Sequence, residues 1–214
     1  MENSYKKTIK GILEEITNVM NEEKSYLTEL DAAMGDGDLG ITMCTGFKAL
    51  TDEIDKIETS DIGFLLMKLG MRMNSVVPST MGTLISNCFM KAGKSIKGKS
   101  SIGLEDFATM GTAAVKGVID IGNTELGNKT MLDALHPAVI SLQKSSSEKN
   151  SIVDTTALAY RAACKGVEET KNMRSVHGRA AYYGDKSLGR PDSGATAVMF
   201  IFKAISKYTS KNAD

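Results

Sequence analysis

A chain of 214 residues is long enough for one compact domain with a substantial core, and it reads as a single domain over residues 1–214. Its 26 basic and 26 acidic residues cancel and no Lys/Arg cluster alternates with aromatics, which excludes nucleic acid as a partner and leaves any anionic ligand to be held locally. Met1 to Lys7 contains no apolar run and the most apolar stretch, Ala195 to Phe202, is far too short to span a bilayer, so no membrane association and a cytoplasmic location are expected.

The first predicted helix covers Tyr5 to Leu30, where Ile9, Ile12, Leu13, Ile16, Val19 and Met20 recur at three- and four-residue steps on one face. A second runs from Ile41 to Lys56 with Met43, Phe47 and Leu50 inward. A third follows Ser60-Asp61, either of which can cap it, and closes at Pro78. The fourth runs from Met81 to Ile96 with Leu84, Ile85, Cys88 and Phe89 as its buried stripe. The fifth carries Phe107, Met110, Ala114, Val118 and Ile121 and stops at Gly122 as its C′ residue. The sixth begins near Lys129, with Met131, Leu135, Val139 and Leu142 on one face. Ser151 to Asp154 reads as a capping box for the seventh, whose Ala157, Ala159, Ala162 and Ala163 let neighbours approach closely. A loop from Arg174 to Pro191 follows, long enough to suggest function. The eighth helix starts near Asp192 and is apolar almost all round to Ile205, which places it in the middle of the core. With short links between most of them, these segments predict an all-α fold, an eight-helix antiparallel up-and-down barrel or bundle. Cys44, Cys88 and Cys164, widely spaced among apolar residues, are expected to be reduced core thiols.

The chemistry concentrates at Asp31, Asp36 and Asp38, three carboxylates within eight residues, with Gly35 and Gly37 giving the backbone freedom to turn. Carboxylates crowded this way repel, and protonation or a hard divalent cation relieves them. Oxygen-only ligands favour magnesium, manganese or calcium over zinc. Position twelve of a loop that begins at Asp36 is Phe47, where an EF-hand needs an acid, so a calcium-sensor loop is excluded and magnesium with phosphate oxygens fits better. The competing reading is a set of solvated turn and cap residues. Ser79-Thr80-Met81-Gly82 and Asp192-Ser193-Gly194 each open a helix, and Arg179 adds a guanidinium, all suited to phosphate. Of the two histidines, His136 reads as structural and His177 as a residue that lines a site without catalysing. No Ser/His/Asp or Cys/His grouping is present, so metal and electrostatics carry any chemistry, as in phosphoryl transfer.

The acidic loop, the Gly127-Asn128-Lys129-Thr130-Met131-Leu132-Asp133 segment and the stretch from Gly178-Arg179-Ala180 to Asp192-Ser193-Gly194 occur in the order seen in one family. Over essentially its whole length the sequence resembles the nucleotide-binding L subunits of bacterial dihydroxyacetone kinases, and it is similar to the C-terminal domain of the single-chain ATP-dependent enzymes. The resemblance implies an eight-helix barrel holding ADP and two magnesium ions at one end. It implies that ADP/ATP acts as a bound cofactor, charged by a phosphohistidine donor protein, the M subunit. The phosphoryl group then passes to dihydroxyacetone or a similar short ketose held on a K subunit. On this resemblance Asp31, Asp36 and Asp38 are the magnesium ligands. Leu39, Gly40, Ile41 and Thr42 form the first nucleotide contact and Thr80 and Met81 the second, with Gly122, Met131, Arg179, Asp192, Ser193 and Gly194 completing it. No catalytic side chain is expected here, since the base for the substrate hydroxyl belongs to the partner. The pattern departs from the family at Leu39, Met81, Asn128 and Arg190. A chain of this length has no room for a substrate domain, which disfavours the single-chain enzyme; a homodimer or hetero-oligomer is expected. The alternative is a non-catalytic helical module that senses nucleotide or binds a transcription regulator.

Overall fold

The computed structural model describes residues 4–213. Among them all regular structure is helical: α1 (Ser4–Glu22), α2 (Lys24–Ala32), α3 (Leu39–Glu53), α4 (Ile62–Val76), α5 (Thr80–Ser95), α6 (Leu104–Gly122), α7 (Leu132–Ser147), α8 (Ile152–Thr170) and α9 (Ser193–Lys211). Short 3-10 turns occupy Ile54–Lys56 and Arg179–Ser187. No helix among the described residues is long and apolar enough to cross a membrane.

The first predicted helix is two. Backbone hydrogen bonds Glu23 N to Val19 O and Leu27 N to Glu23 O, both 3.0 Å, carry the chain through the junction. Glu23 itself leaves helical geometry at φ −98°, ψ 7°, and bends the rod there. The apolar stripe of α1 ends at Met20, whereas α2 buries Leu27 and packs against both α3 and α9. With α1 and α2 counted as one bent stave, eight staves close a ring in chain order, since each helix from α3 to α9 packs on the next and α9 returns to α1.

Cross-contacts show the staves to be antiparallel. Gly63 on α4 meets Gly93 on α5, and Gly70 meets Ser86, whose hydroxyl donates to the Gly70 carbonyl at 2.7 Å. Gly11 meets Tyr208 near one end of the α1/α9 seam, and Glu23 pairs with Lys203 near the other. Up-and-down winding therefore gathers the loops 33–38, 77–79, 123–131 and 171–192 at one mouth. The starts of α3, α5, α7 and α9 converge there, each with the positive end of its dipole.

The periodic stripes pack as the sequence implies. Leu13, Ile16, Val19, Met20, Met43, Phe47, Leu50, Ile85, Val118, Met131, Leu135, Val139 and Leu142 are buried, with Ile9, Ile12, Leu84, Cys88 and Phe89 half-buried against them. Ile121 departs from the pattern: it is 52% exposed, because α6 is ending at the mouth. The small-residue face of α8 buries Ala159 and Ala163. The apolar α9 buries Ala195, Thr196, Ala197, Val198, Phe200, Phe202 and Ala204 while touching α1, α2, α3, α7 and α8. The three cysteines are free thiols, and burial pushes Cys88 up to about 12.

Charge closes the seam between the first and last staves. Glu15 of α1 accepts from Lys207 at 2.8 Å and Lys211 at 3.0 Å, and Glu23 at the α1/α2 junction pairs with Lys203 at 2.7 Å, so lysines four apart on α9 face glutamates on the first stave. Burial alone would raise the Glu15 carboxyl, but the two ammonium groups outweigh it and hold the pKa below the usual carboxylate range. A lowered folded-state pKa gives stability that is full above the unfolded value of about 4.3 and is lost as pH falls through the folded value. Glu15→Gln is expected to lower Tm at pH 7 by about 3 °C, corresponding to about 1 kcal/mol for pairs whose lysines are solvated. In thermal melts from pH 7 to pH 3 the gap to wild type should close below about pH 4. A gap that stays constant to pH 3 counts against the charge ladder.

Candidate functional site

The mouth is built first from the chain's own turn after α2. Asp31 lies in the last turn of that helix, and its carbonyl accepts from Met34 N at 3.1 Å and Gly35 N at 2.6 Å, folding the chain back. A Cβ on Gly35 would stand 2.8 Å from Asp31 Oδ1, and Gly37 adopts φ +73°, so both glycines are required for the loop to close over the carboxylate. Gly37 N then donates to Asp31 Oδ2 at 3.0 Å. Asp38 occupies the N-cap position of α3, yet its side chain makes no capping hydrogen bond, which leaves its carboxylate outside the usual cap role.

The result is a cluster in which one carboxylate oxygen from each of Asp31, Asp36 and Asp38 lies within 4.8 Å of the other two. Asp31 is half-buried, and Asp36 and Asp38 are exposed. Partial burial pushes the Asp38 carboxyl up, the charges of Asp36 and Asp31 push it further, and Arg179 pulls it back. Two distant segments reach the cluster. Arg179 Nη1, from the long loop, donates to Asp36 Oδ2 at 2.9 Å, and Ser193 Oγ, at the start of α9, donates to Asp31 Oδ1 at 3.1 Å. One guanidinium beside three carboxylates leaves negative charge to be neutralised, and an all-oxygen donor set suits a hard divalent ion.

Helix starts gather at the same mouth, those of α3 and α9 directly at the cluster. The helical geometry of α3 leaves the Leu39, Gly40 and Ile41 N–H groups without intrahelical partners, and Asp38 does not take them. At α5, Ser79 Oγ accepts from Gly82 N at 3.1 Å, with Thr80 exposed and Met81 half-buried against the core. At α9, Asp192 Oδ2 accepts from Ala195 N at 2.7 Å. Burial pushes the Asp192 carboxyl up to about 7, against the lowering effect of that N–H bond.

The remaining predicted contacts divide by side chain. Leu39 and Thr42 are buried, at 5% and 8% exposure, so their side chains serve the core and only Ile41 of that stretch presents an exposed one. Gly40 serves packing, since a Cβ there would sit 2.4 Å from both the Lys24 carbonyl and Thr28 Oγ1. Gly122 lies against Thr124 and Leu84 at the end of α6, Met131 is buried, and Gly194 sits over Met131. The left-handed C-cap expected at Gly122 belongs instead to Asn123, at φ 45°; asparagine tolerates this conformation.

Two more expectations change at the mouth. The sixth predicted helix starts at Leu132, not Lys129, because residues 123–131 form a loop organised by Asp133, whose Oδ1 accepts from Gly127 N at 2.7 Å and Oδ2 from Thr130 N at 2.8 Å. The segment from Arg174 to Pro191 is not structureless, and the 3-10 turn Arg179–Ser187 carries the arginine. His177 Nε2 meets Asn128 Oδ1 at 3.0 Å, joining these two loops and leaving the histidine a structural part. Asp133 and Lys129 are organising residues that side-chain type alone did not reveal, although both stand in the quoted Gly127 to Asp133 motif.

Comparison with known proteins gives the chain's relatives. The DAK2 domain profile matches residues 33–207. The chain is 35% identical over 188 residues to the ADP-binding subunit DhaL of the PEP-dependent dihydroxyacetone kinase of Escherichia coli (strain K12), covering 88% of this chain and 90% of that one. It is 31% identical over 196 residues to the ADP-binding subunit DhaL of PEP-dependent dihydroxyacetone kinase 2 of Listeria innocua, covering 91% and 90%. The crystal structure of the dihydroxyacetone kinase of C. freundii in complex with AMP-PNP and Mg2+ superposes with a TM-score of 0.70 at 26% identity, over 92% of this chain and 33% of that much longer one. A profile match across most of its length and these relatives show that the chain belongs to the DAK2 domain family.

Proposed function

We propose that this protein is the ADP-binding subunit of a dihydroxyacetone kinase, relaying a phosphoryl group through bound ADP/ATP from a phosphohistidine donor, an M subunit, to dihydroxyacetone or a similar short ketose on a K subunit. The observation that carries the reading is the Asp31, Asp36, Asp38 cluster, closed by Arg179 and set among helix starts. The two relatives matched over nine-tenths of their length are both ADP-binding subunits, and the C. freundii enzyme was crystallised with a nucleotide analogue and Mg2+.

Asp31, Asp36 and Asp38 would hold two magnesium ions, which neutralise charge on the phosphate chain. The N–H groups opening α3, α5 and α9 would take phosphate oxygens, each start adding its dipole. Arg179, already at the cluster through Asp36, would turn its fork to the transferred phosphoryl group. In the charging step the N–P bond of the donor phosphohistidine breaks as an O–P bond forms at the terminal oxygen of ADP. In the second step that group passes to the ketose hydroxyl, whose proton leaves to a base on the K subunit. The chain's own part is positioning and charge, in keeping with a chain that has only two histidines.

The test is direct. Purified protein is titrated with ADP in the presence and absence of MgCl2, by calorimetry and by thermal shift, and freshly prepared protein is examined by native mass spectrometry. Magnesium-dependent ADP binding is expected. Neither binding nor a Tm shift at millimolar ADP and magnesium would sink the reading. Turnover with a K subunit, comparing phosphoenolpyruvate plus the donor proteins with ATP, then separates the relay from direct use of ATP.

A further inference from the structure

We infer that Lys129 is a positioning residue that ties together the two arms bringing Arg179 and Ser193 to the carboxylate cluster, and that the nucleotide site is assembled through it. The proposal rests on the reading that Arg179 and the start of α9 face bound nucleotide.

Lys129 is 3% exposed, in a left-handed conformation at φ +59° that few non-glycine residues adopt. Its ammonium lies 2.9 Å from the Thr170 carbonyl, 3.2 Å from Met173, 2.6 Å from Ser187 and 2.7 Å from Arg190. These carbonyls come from two places: the C-terminal end of α8 with the turn after it, and the far end of the long loop. Burial pushes the ammonium's pKa down and the Asp192 carboxylate pushes it up.

Each side of this junction leads to the cluster. Ser187 Oγ donates to the Gly184 carbonyl at 2.7 Å and accepts from Ser175 N at 3.0 Å, fixing the 3-10 turn that carries Arg179 onto Asp36. Thr170, whose carbonyl takes Lys129, uses its hydroxyl to accept from Asp192 N at 2.9 Å, and Asp192 caps α9 just before Ser193 reaches Asp31. Gly189 N, bonded to the Lys171 carbonyl at 2.7 Å, closes the same junction from the side. Four convergent carbonyls without a cation would repel one another and be left short of donors in a buried place. The lysine therefore works as a tethered cation around which both arms fold. A residue that only filled space would be replaceable by an apolar chain of equal length.

The experiment uses the full chain with Lys129→Met, which keeps an unbranched side chain one atom shorter and removes the charge, and Lys129→Ala, which opens the carbonyl nest. Hydrogen exchange of the nucleotide-free proteins should show amides of residues 174–191 exchanging at least tenfold faster in both variants, with α4 and α5 unchanged. Affinity for ADP with magnesium should fall at least tenfold in both. Methylammonium chloride at tens of millimolar should restore most of the loss in Lys129→Ala but not in Lys129→Met, with sodium chloride at equal ionic strength as the control. Unchanged exchange of the loop in either folded variant overturns the proposal, as does an affinity loss that the amine does not reverse in Lys129→Ala. The exchange comparison needs no nucleotide, so it decides the role of Lys129 even if wild-type protein binds no ADP, an outcome that would remove the functional reading alone.

Discussion

Asp38→Asn is expected to abolish the thermal stabilisation that ADP with magnesium gives the wild-type protein, while leaving the ligand-free Tm at pH 7 equal to or above that of wild type. The two halves have opposite signs for one reason. Without a cation, three carboxylates whose oxygens lie within 4.8 Å of one another repel, and Arg179 answers only part of that charge. Asp38 gives no cap to α3 in return, and only the nearby Arg179 offsets part of its repulsion. Its folded-state pKa is raised, so its ionised form weighs against folding above that pKa, and neutralising it removes the cost. With ligand the balance reverses, since the cluster loses one of its oxygen donors. At a ligand concentration about 1,000 times Kd, linkage supplies about 4 kcal/mol, or about 10 °C for a chain of this size, and all of it should disappear in the variant. Asp31→Asn gives the contrast: Asp31 bonds Gly37 N and Ser193 Oγ, so its ligand-free Tm should fall rather than rise. Thermal shift with and without ADP and magnesium on the three proteins checks both signs; a retained ligand shift in Asp38→Asn would refute the metal role.

Gly166→Ala is expected to be strongly damaging for so small a substitution, costing about 3 kcal/mol or more and about 10 °C in Tm. A Cβ at this place on α8 would lie 2.2 Å from the Asp133 carbonyl oxygen and 3.0 Å from Ala134 Cα, both backbone atoms that cannot rotate away. The approach is this close for a local reason. Pro137 lies inside α7 and has no N–H to bond the carbonyl four residues earlier, so the Asp133 carbonyl faces the neighbouring helix. Displacing the start of α7 also moves Asp133, which holds Gly127 and Thr130, and so disturbs the mouth. Gly98→Ala is the control: φ is +88° but a Cβ meets nothing within 4 Å, leaving only a conformational cost of about 1–2 kcal/mol. Denaturant melts of both variants check the difference, and an equal loss in the two would count against the α7/α8 contact.

These cases separate what was readable in the chain from what was not. The buried stripes of α3 and α7 follow from spacing alone, since Met43, Phe47 and Leu50, or Leu135, Val139 and Leu142, fall on one helical face whatever surrounds it. The break at Glu23 was hidden, because no proline or glycine marks it and the bend is imposed by the packing of α2 on α3 and α9. The start of α7 was misjudged because Lys129 and Thr130 suit a helix, whereas the Asp133 side chain gives their loop a competing set of bonds. Gly40 was expected from the resemblance to contact nucleotide, yet its missing Cβ is needed for the crossing of α2 and α3.

By itself, then, the sequence determined most of the helices and the crowding of Asp31, Asp36 and Asp38, because each depends on interactions between residues a few positions apart, and the short links between helices implied their up-and-down order. The turn that crowds the carboxylates is closed within the stretch from Asp31 to Gly37. Only the tertiary structure decided what answers that charge. Arg179 and Ser193 arrive from the other end of the chain, Ser193 across 162 residues, and the lysine that ties their arms together gathers carbonyls 41 to 61 residues away. Such contacts leave no period or spacing to read, since they exist only once the ring of helices has closed and brought its loops to one end.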